Sequence, residues 1–176
     1  MDVWEAIESR RAIRTFTGKK IPKSDLEKMV DAGRLAPSAR NEQRWDFIII
    51  TQGEMLNQIT THFGTRRRFS TADDGKFDGT SAIIAVVVDG SHEYWREDGS
   101  AATQNILLTA RDLGWGSCWI EGQMRPHEQR FKAMLNVPDE KRIVVLIALG
   151  EPVRWSAPPP KKSLNEVLHW ERYKER

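Results

Sequence analysis

Apolar positions fall along the chain in two alternating rhythms. Val3, Trp4, Ala6 and Ile7 recur at helical spacing behind Asp2 and Glu5, which have the form of a capping box, so a short amphipathic helix is expected to end at Arg10-Arg11. Ser24 and Glu27 form a second such pair, followed by Leu26, Met29, Val30 and Gly33, until Pro37 stops the pattern. Phe47 to Ile50, Ile83 to Val88 and Ile143 to Leu149 are unbroken, β-branched runs, which predicts central strands covered on both faces.

Between the strands the rhythm returns to that of helices. Residues 100–113 leave little polar face before Gly114, so this helix is expected to be buried in a core or a subunit interface. Residues 54–63 and 126–135 have the pattern of covering helices, and Ser163 with Glu166 opens a last one. Gly114 to Gly122 reads as a helix stop, a short strand and a turn. Residues 64–79 show no period and are expected to form a loop or lid, and Pro158-Pro159-Pro160 an extended connector. The elements give an α/β or α+β class.

At 176 residues the chain suits one domain, 1–176, with a core of its own. A net charge of +2 with 30% charged residues gives no polyelectrolyte field, and Arg66-Arg67-Arg68 is too short a basic patch to argue for nucleic acid. The single Cys118 forms no internal disulfide, the four histidines lack metal-ligand spacing, and no apolar run approaches the roughly 18 residues of a membrane span. A reducing, cytoplasmic setting is the expectation.

Neither a Rossmann nor a Walker glycine motif is present, so any phosphate must be held by side chains. Arg10, Arg11 and Arg14 offer forked donors for it, with Lys161 and Lys162 at the far end of the chain. Pro37-Ser38-Ala39-Arg40-Asn41 with Gln43 offers hydroxyl, amide and backbone donors suited to a heterocycle edge. A solvated basic turn and an ordinary loop remain the alternatives for each. Cys118 has no adjacent base and Glu121 no neighbouring carboxylate or histidine in sequence, so no catalytic side chain can be named.

In order and spacing, Arg10-Arg11-Ala12-Ile13-Arg14, Ala36 to Asn41 with Gln43 and Trp45, the helix before Gly114, Ile120-Glu121-Gly122, Leu149-Gly150-Glu151-Pro152 and Pro160-Lys161 resemble the FMN-dependent nitroreductase family. The resemblance implies a three-layer α+β fold, with a mostly antiparallel sheet flanked by helices, and an intertwined homodimer whose two FMN sites are built by both subunits. It places Arg10 and Lys161 at the FMN phosphate and Arg14 at the pyrimidine edge. Pro37, Ser38, Ala39 and Asn41 would come from the other subunit, and the backbone of Glu121 and Gly122 would lie near flavin N5 and O4. Arg11, Ala12, Gln43 and Ile120 complete the implied cofactor set. The implied reaction is ping-pong hydride transfer from NADH or NADPH through the flavin to nitroaromatic, quinone or related acceptors.

Relatives of this kind also include dehalogenating, flavin-fragmenting and azoline-oxidising enzymes. Ala12 stands where the family usually has Ser or Thr, which removes a hydroxyl whose bond to phosphate contributes about 1.5–3 kcal/mol. Arg40 and Arg44 also depart from the pattern and add charge suited to a phosphorylated nicotinamide donor or an acidic substrate. These departures keep open a flavin carrier or redox sensor without efficient turnover.

Overall fold

A computed structural model of the chain describes residues 1–51, 53–64 and 77–173. Most of the expected lid and the Arg66-Arg67-Arg68 run lie outside them. Four strands, β1 (Trp45–Ile50), β2 (Ala82–Asp89), β3 (Gly116–Ile120) and β4 (Lys141–Gly150), form one sheet in the order β1-β2-β4-β3, every ladder antiparallel. The long apolar runs of β2 and β4 occupy its centre because only there are both faces covered. β1 is an edge strand instead of a central one: its residues are mostly half-buried and Ile49 is exposed. Its apolar run is as unbroken as the others, so sequence pattern could not separate edge from centre.

Among the described residues six helices accompany the sheet: α1 (Val3–Ser9), α2 (Lys23–Arg34), α3 (Gly53–Gly64), α4 (Trp95–Asp112), α5 (Glu128–Leu135) and α6 (Leu164–Val167). On one face Leu26 and Met29 of α2 and Ile106, Leu107 and Ala110 of α4 pack on Ile84, Val86, Ile147 and Leu149. On the other, Leu56, Ile59 and Phe63 of α3 and Phe131 of α5 pack on Ile83, Ala85, Leu146 and Ala148. The result is a three-layer α/β/α sandwich of α+β class, in which strict alternation along β2 feeds both cores.

β4 breaks that alternation once. Val86 faces Val145 while Val87 faces Ile143, which leaves Val144 as the extra residue of a bulge and turns Val144 and Val145 to the same face. There α4 comes so close that a Cβ on Gly99 would lie 2.5 Å from Val144 Cγ2. The bulge and the glycine together seat the first turns of α4 on the sheet.

Several helix starts differ from the sequence pattern. Asp2 caps α1 as expected, accepting the Glu5 N–H at 2.8 Å. α2 begins behind Pro22 with no side-chain cap, and Glu27 pairs instead with Lys23, 3.3 Å away. Proline, with its preset φ and no N–H to satisfy, opens the helix ahead of the Ser24 signal. α4 starts at Trp95, before the expected Ser100, because Trp95 packs against the α2/α4 core and extends the buried stripe by a turn. A 3₁₀ turn, Arg125–His127, precedes α5, and the capping box of Ser163 and Glu166 is present at α6.

Candidate functional site

The sequence-predicted residues fall into two groups on opposite edges of the sheet. The first lies along β3. Ile13 N–H donates to Ser117 O at 2.9 Å, and a parallel bridge between Ala12 and Ser117 lays the Arg10–Arg14 segment beside the strand. Ile120 ends β3, and Glu121 and Gly122 follow at once.

The second group, residues 37–43, leads into β1 and is pinned there by the Asp89 N–H, which donates to Arg44 O at 3.0 Å. Three strand spacings, about 14 Å, separate the two edges. Along the strand direction, Trp45 lies level with Val88 and Arg142 but Ser117 level with Leu149 and Ala82, about 20 Å further on.

Within the β3 group the three arginines behave differently. Arg11 turns back: its terminal nitrogen donates to the carbonyls of Glu8 at 2.6 Å and Arg10 at 2.9 Å, stopping α1, and its buried Nε has no hydrogen-bond partner among the described residues. It is thus mostly committed to the helix end. The guanidinium groups of Arg10 and Arg14 make no hydrogen bond or ion pair to the described chain, although both residues are half-buried. Cations held in place yet left without a counter-charge suit an anionic ligand.

Neither the Glu121 nor the Gly122 N–H donates to a protein acceptor, and a Cβ on Gly122 would meet nothing within 4 Å. The Glu121 side chain pairs with Arg125 one turn on, which leaves its backbone N–H as the donor it can offer. Two free amides beside open space and two free cations fit a flat anionic cofactor of the FMN type. Lys161 stands exposed on the extended segment after the prolines, with no bond tying it to this edge. Ala12 is exposed and offers only its backbone.

The β1 group corrects one expectation. Its backbone donors are not free: Ala39 N–H donates to Asp98 Oδ1 at 3.0 Å, Asn41 N–H to Ser38 O at 3.0 Å, Glu42 N–H to Ala39 O at 3.1 Å and Gln43 N–H to Ser38 Oγ at 3.0 Å. A turn this tight satisfies its own amides. What it leaves outward are the Ser38 hydroxyl proton, the Asn41 carboxamide and the Arg40 side chain; the Gln43 amide reaches back to Asn41 O at 3.2 Å. Arg40, Asn41 and Gln43 all have positive φ, at 53°, 57° and 50°. Such conformations cost about 1–3 kcal/mol each and persist only where neighbours over-determine them.

Those neighbours come from residues that the sequence pattern did not single out. Asp98, 4% exposed in the first turns of α4, takes the Ala39 N–H on one oxygen and lies 3.1 Å from His92 Nε2 with the other. His92 Nδ1 is 3.7 Å from Glu42 Oε2, which is also 2.8 Å from Arg44 Nε. Arg44 reaches Asp89 at 3.2 Å; hydrogen bonds from the Ser91 hydroxyl and N–H, with Arg44 beyond them, hold the Asp89 carboxyl below its ordinary range. Arg44 is therefore neutralised within the loop, and of the two extra cations only Arg40 stays uncompensated. The expected start of α4 at Ser100 hid Asp98; a carboxyl inside an apolar helical stripe was the missed signal.

Comparisons with known proteins agree with this fold. Among curated proteins, one of Archaeoglobus fulgidus provisionally named an NADH dehydrogenase/NAD(P)H nitroreductase is 38% identical over 83% of this chain and 83% of its own. A protein of Methanothermobacter thermautotrophicus with the same provisional name is 35% identical over 86% and 78%. Among solved structures, the similarly named protein of Parabacteroides distasonis superposes with a TM-score of 0.83 at 26% identity, covering 97% of this chain and 98% of that one. A family model described as the nitroreductase family matches residues 7–151, and with these relatives it shows that the chain belongs to the nitroreductase family.

Proposed function

We propose that the chain is an FMN-dependent oxidoreductase working as a homodimer, taking hydride from NADH or NADPH and passing it to nitroaromatic, quinone or related electrophilic acceptors. Membership in a family whose members at 38% and 35% identity bear NAD(P)H nitroreductase names makes it an NAD(P)H-dependent oxidoreductase of the flavin type. The observation that carries the finer reading is the pair of half-sites: free cations and free amides on the β3 edge, a strained polar turn on the β1 edge. Their separation across the sheet supports a cofactor site completed by a second copy of the chain.

In that site Arg10, with Lys161 swinging in from the tail, would neutralise the phosphate, and Arg14 would meet the pyrimidine edge. The partner copy would bring Pro37 and Ala39 as apolar walls, the Ser38 hydroxyl and the Asn41 carboxamide as donors, and Gln43 as the brace of that turn. FMN held there would supply the redox chemistry, hydride exchange with nicotinamide and acceptor, while the residues of the chain bind and orient it. The amides of Glu121 and Gly122 would donate where negative charge gathers on the ring, which is worth more in a water-poor site than in solution. No side chain of the chain needs to act as an obligatory acid or base.

An anaerobic absorbance spectrum of the FMN-reconstituted protein tests the reading. Bleaching on addition of NADH or NADPH and recovery on adding a quinone or nitroarene is the expected result. A yellow protein that neither donor bleaches would favour a flavin carrier or sensor instead, and a protein that retains no FMN would remove the site altogether.

A further inference from the structure

The 38–44 turn carries three non-glycine residues in left-handed backbone, and nothing in its own sequence compels that shape. Its outermost rigid support is a single carboxyl from another element. Asp98 is held on α4, which Gly99 locks against the Val144 bulge one residue later, so the carboxyl sits on a fixed platform. From there one oxygen takes the Ala39 N–H at 3.0 Å, and the other reaches through His92 to Glu42 and so to Arg44. Ala39 is thus tied to Asp98 directly, and Glu42 stands 3.7 Å from the His92 ring that Asp98 holds.

We infer that Asp98 is a positioning residue for the flavin-binding turn, fixing Ala39 directly and Glu42 through His92 so that Ser38 and Asn41 are presented to the partner's cofactor in their bound shape. This rests on the reading that residues 37–43 touch the flavin. A turn ordered beforehand need not be ordered on binding, so the brace acts on affinity more than on global stability.

The experiment uses the full-length dimer stripped of flavin, with Asp98→Ala, Asp98→Asn and His92→Gln beside wild type. Three quantities are read: FMN Kd by flavin fluorescence, the melting temperature of the flavin-free protein, and amide hydrogen exchange across residues 38–43. Asp98→Ala should weaken FMN binding on the order of tenfold, because a buried amide loses its acceptor. It should also speed exchange at residues 38–43 while the rest of the sheet stays protected. Asp98→Asn, whose amide oxygen still accepts from Ala39, should recover most of the affinity, and His92→Gln should fall between.

Unchanged exchange at residues 38–43 in Asp98→Ala, or a Kd that follows only the melting temperature across the series, overturns the assignment. If Asp98→Ala does not fold, Asp98→Asn and His92→Gln decide it by the same criteria. Failure of wild type to bind FMN would instead strike the functional reading, and the exchange measurement would still judge the brace.

Discussion

Two glycines show how one residue's surroundings set the meaning of the same substitution. A Cβ at Gly99 would lie 2.5 Å from a valine that cannot swing away, whereas one at Gly122 would meet open space. Gly99→Ala gains about 1 kcal/mol of helix propensity and loses about 1–3 kcal/mol to overpacking, so stability in urea should fall by about 1 kcal/mol. Gly122→Ala should leave the flavin-free unfolding midpoint unchanged and, on the proposed site, weaken FMN binding, since the added methyl would stand in the open space that the site offers the ring. Equal midpoints for the two variants would contradict the packing of α4. In the sequence Gly122 drew notice through the resemblance, whereas nothing marked Gly99. The arginines divide in the same way: the sequence offers Arg10, Arg11 and Arg14 alike as forked donors and Arg40 and Arg44 alike as added charge, and only the fold shows Arg11 bound to carbonyls and Arg44 to carboxyls.

At the scale of elements, α5 is fastened to β4 by a forked pair. Arg142 donates to the two Glu128 oxygens at 2.8 and 2.6 Å, and Ile143 N–H adds a third bond at 3.0 Å. Burial pushes the Glu128 carboxyl up, but the Arg142 fork, the Ile143 amide and the Arg142 and Lys132 charges outweigh it and hold its pKa below the ordinary 4.5. A carboxyl depressed on folding contributes stability that is complete above 4.5 and is lost as pH falls through its lower folded value. Glu128→Gln should therefore cost about 1–2 kcal/mol near neutrality, Arg142 being partly solvated, and the gap to wild type should close as the pH drops below 4. Urea titrations at a series of pH values read this directly, and a gap that is constant with pH would refute it. Helices of this kind were legible from period and apolar spacing, but their starts were not: Pro22 overrode the Ser24 signal, and tertiary packing of Trp95 lengthened α4.

Over the whole molecule, the decisive feature is the distance between half-sites. If each FMN is held by the β3 edge of one copy and the β1 edge of another, Arg10→Ala and Asn41→Ala should each impair both sites of a homodimer. A mixed dimer of the two carries both lesions in one site and neither in the other. Co-expression with two affinity tags, followed by flavin counting on the doubly purified species, should show one tight site per mixed dimer. No recovery would refute sharing. The exposed apolar residues of α1 and the tail, among them Val3, Trp4, Leu164 and Trp170, supply surface for such a dimer. Among the described residues no helix is long and apolar enough to cross a membrane.

The sequence by itself determined the layers: long β-branched runs can satisfy their backbone and bury both faces only at the centre of a sheet, and helical spacing with a polar side can only cover it. It also named the candidate groups, Arg10, Arg14, Ser38, Asn41 and Gly122, by their order and spacing along the chain. The tertiary structure decided which of those groups are available. Hydrogen bonds between residues far apart in the chain, such as Ala39 with Asp98, follow from the bulge at Val144 and the approach of α4, and local pattern carries no record of a contact made across 59 positions.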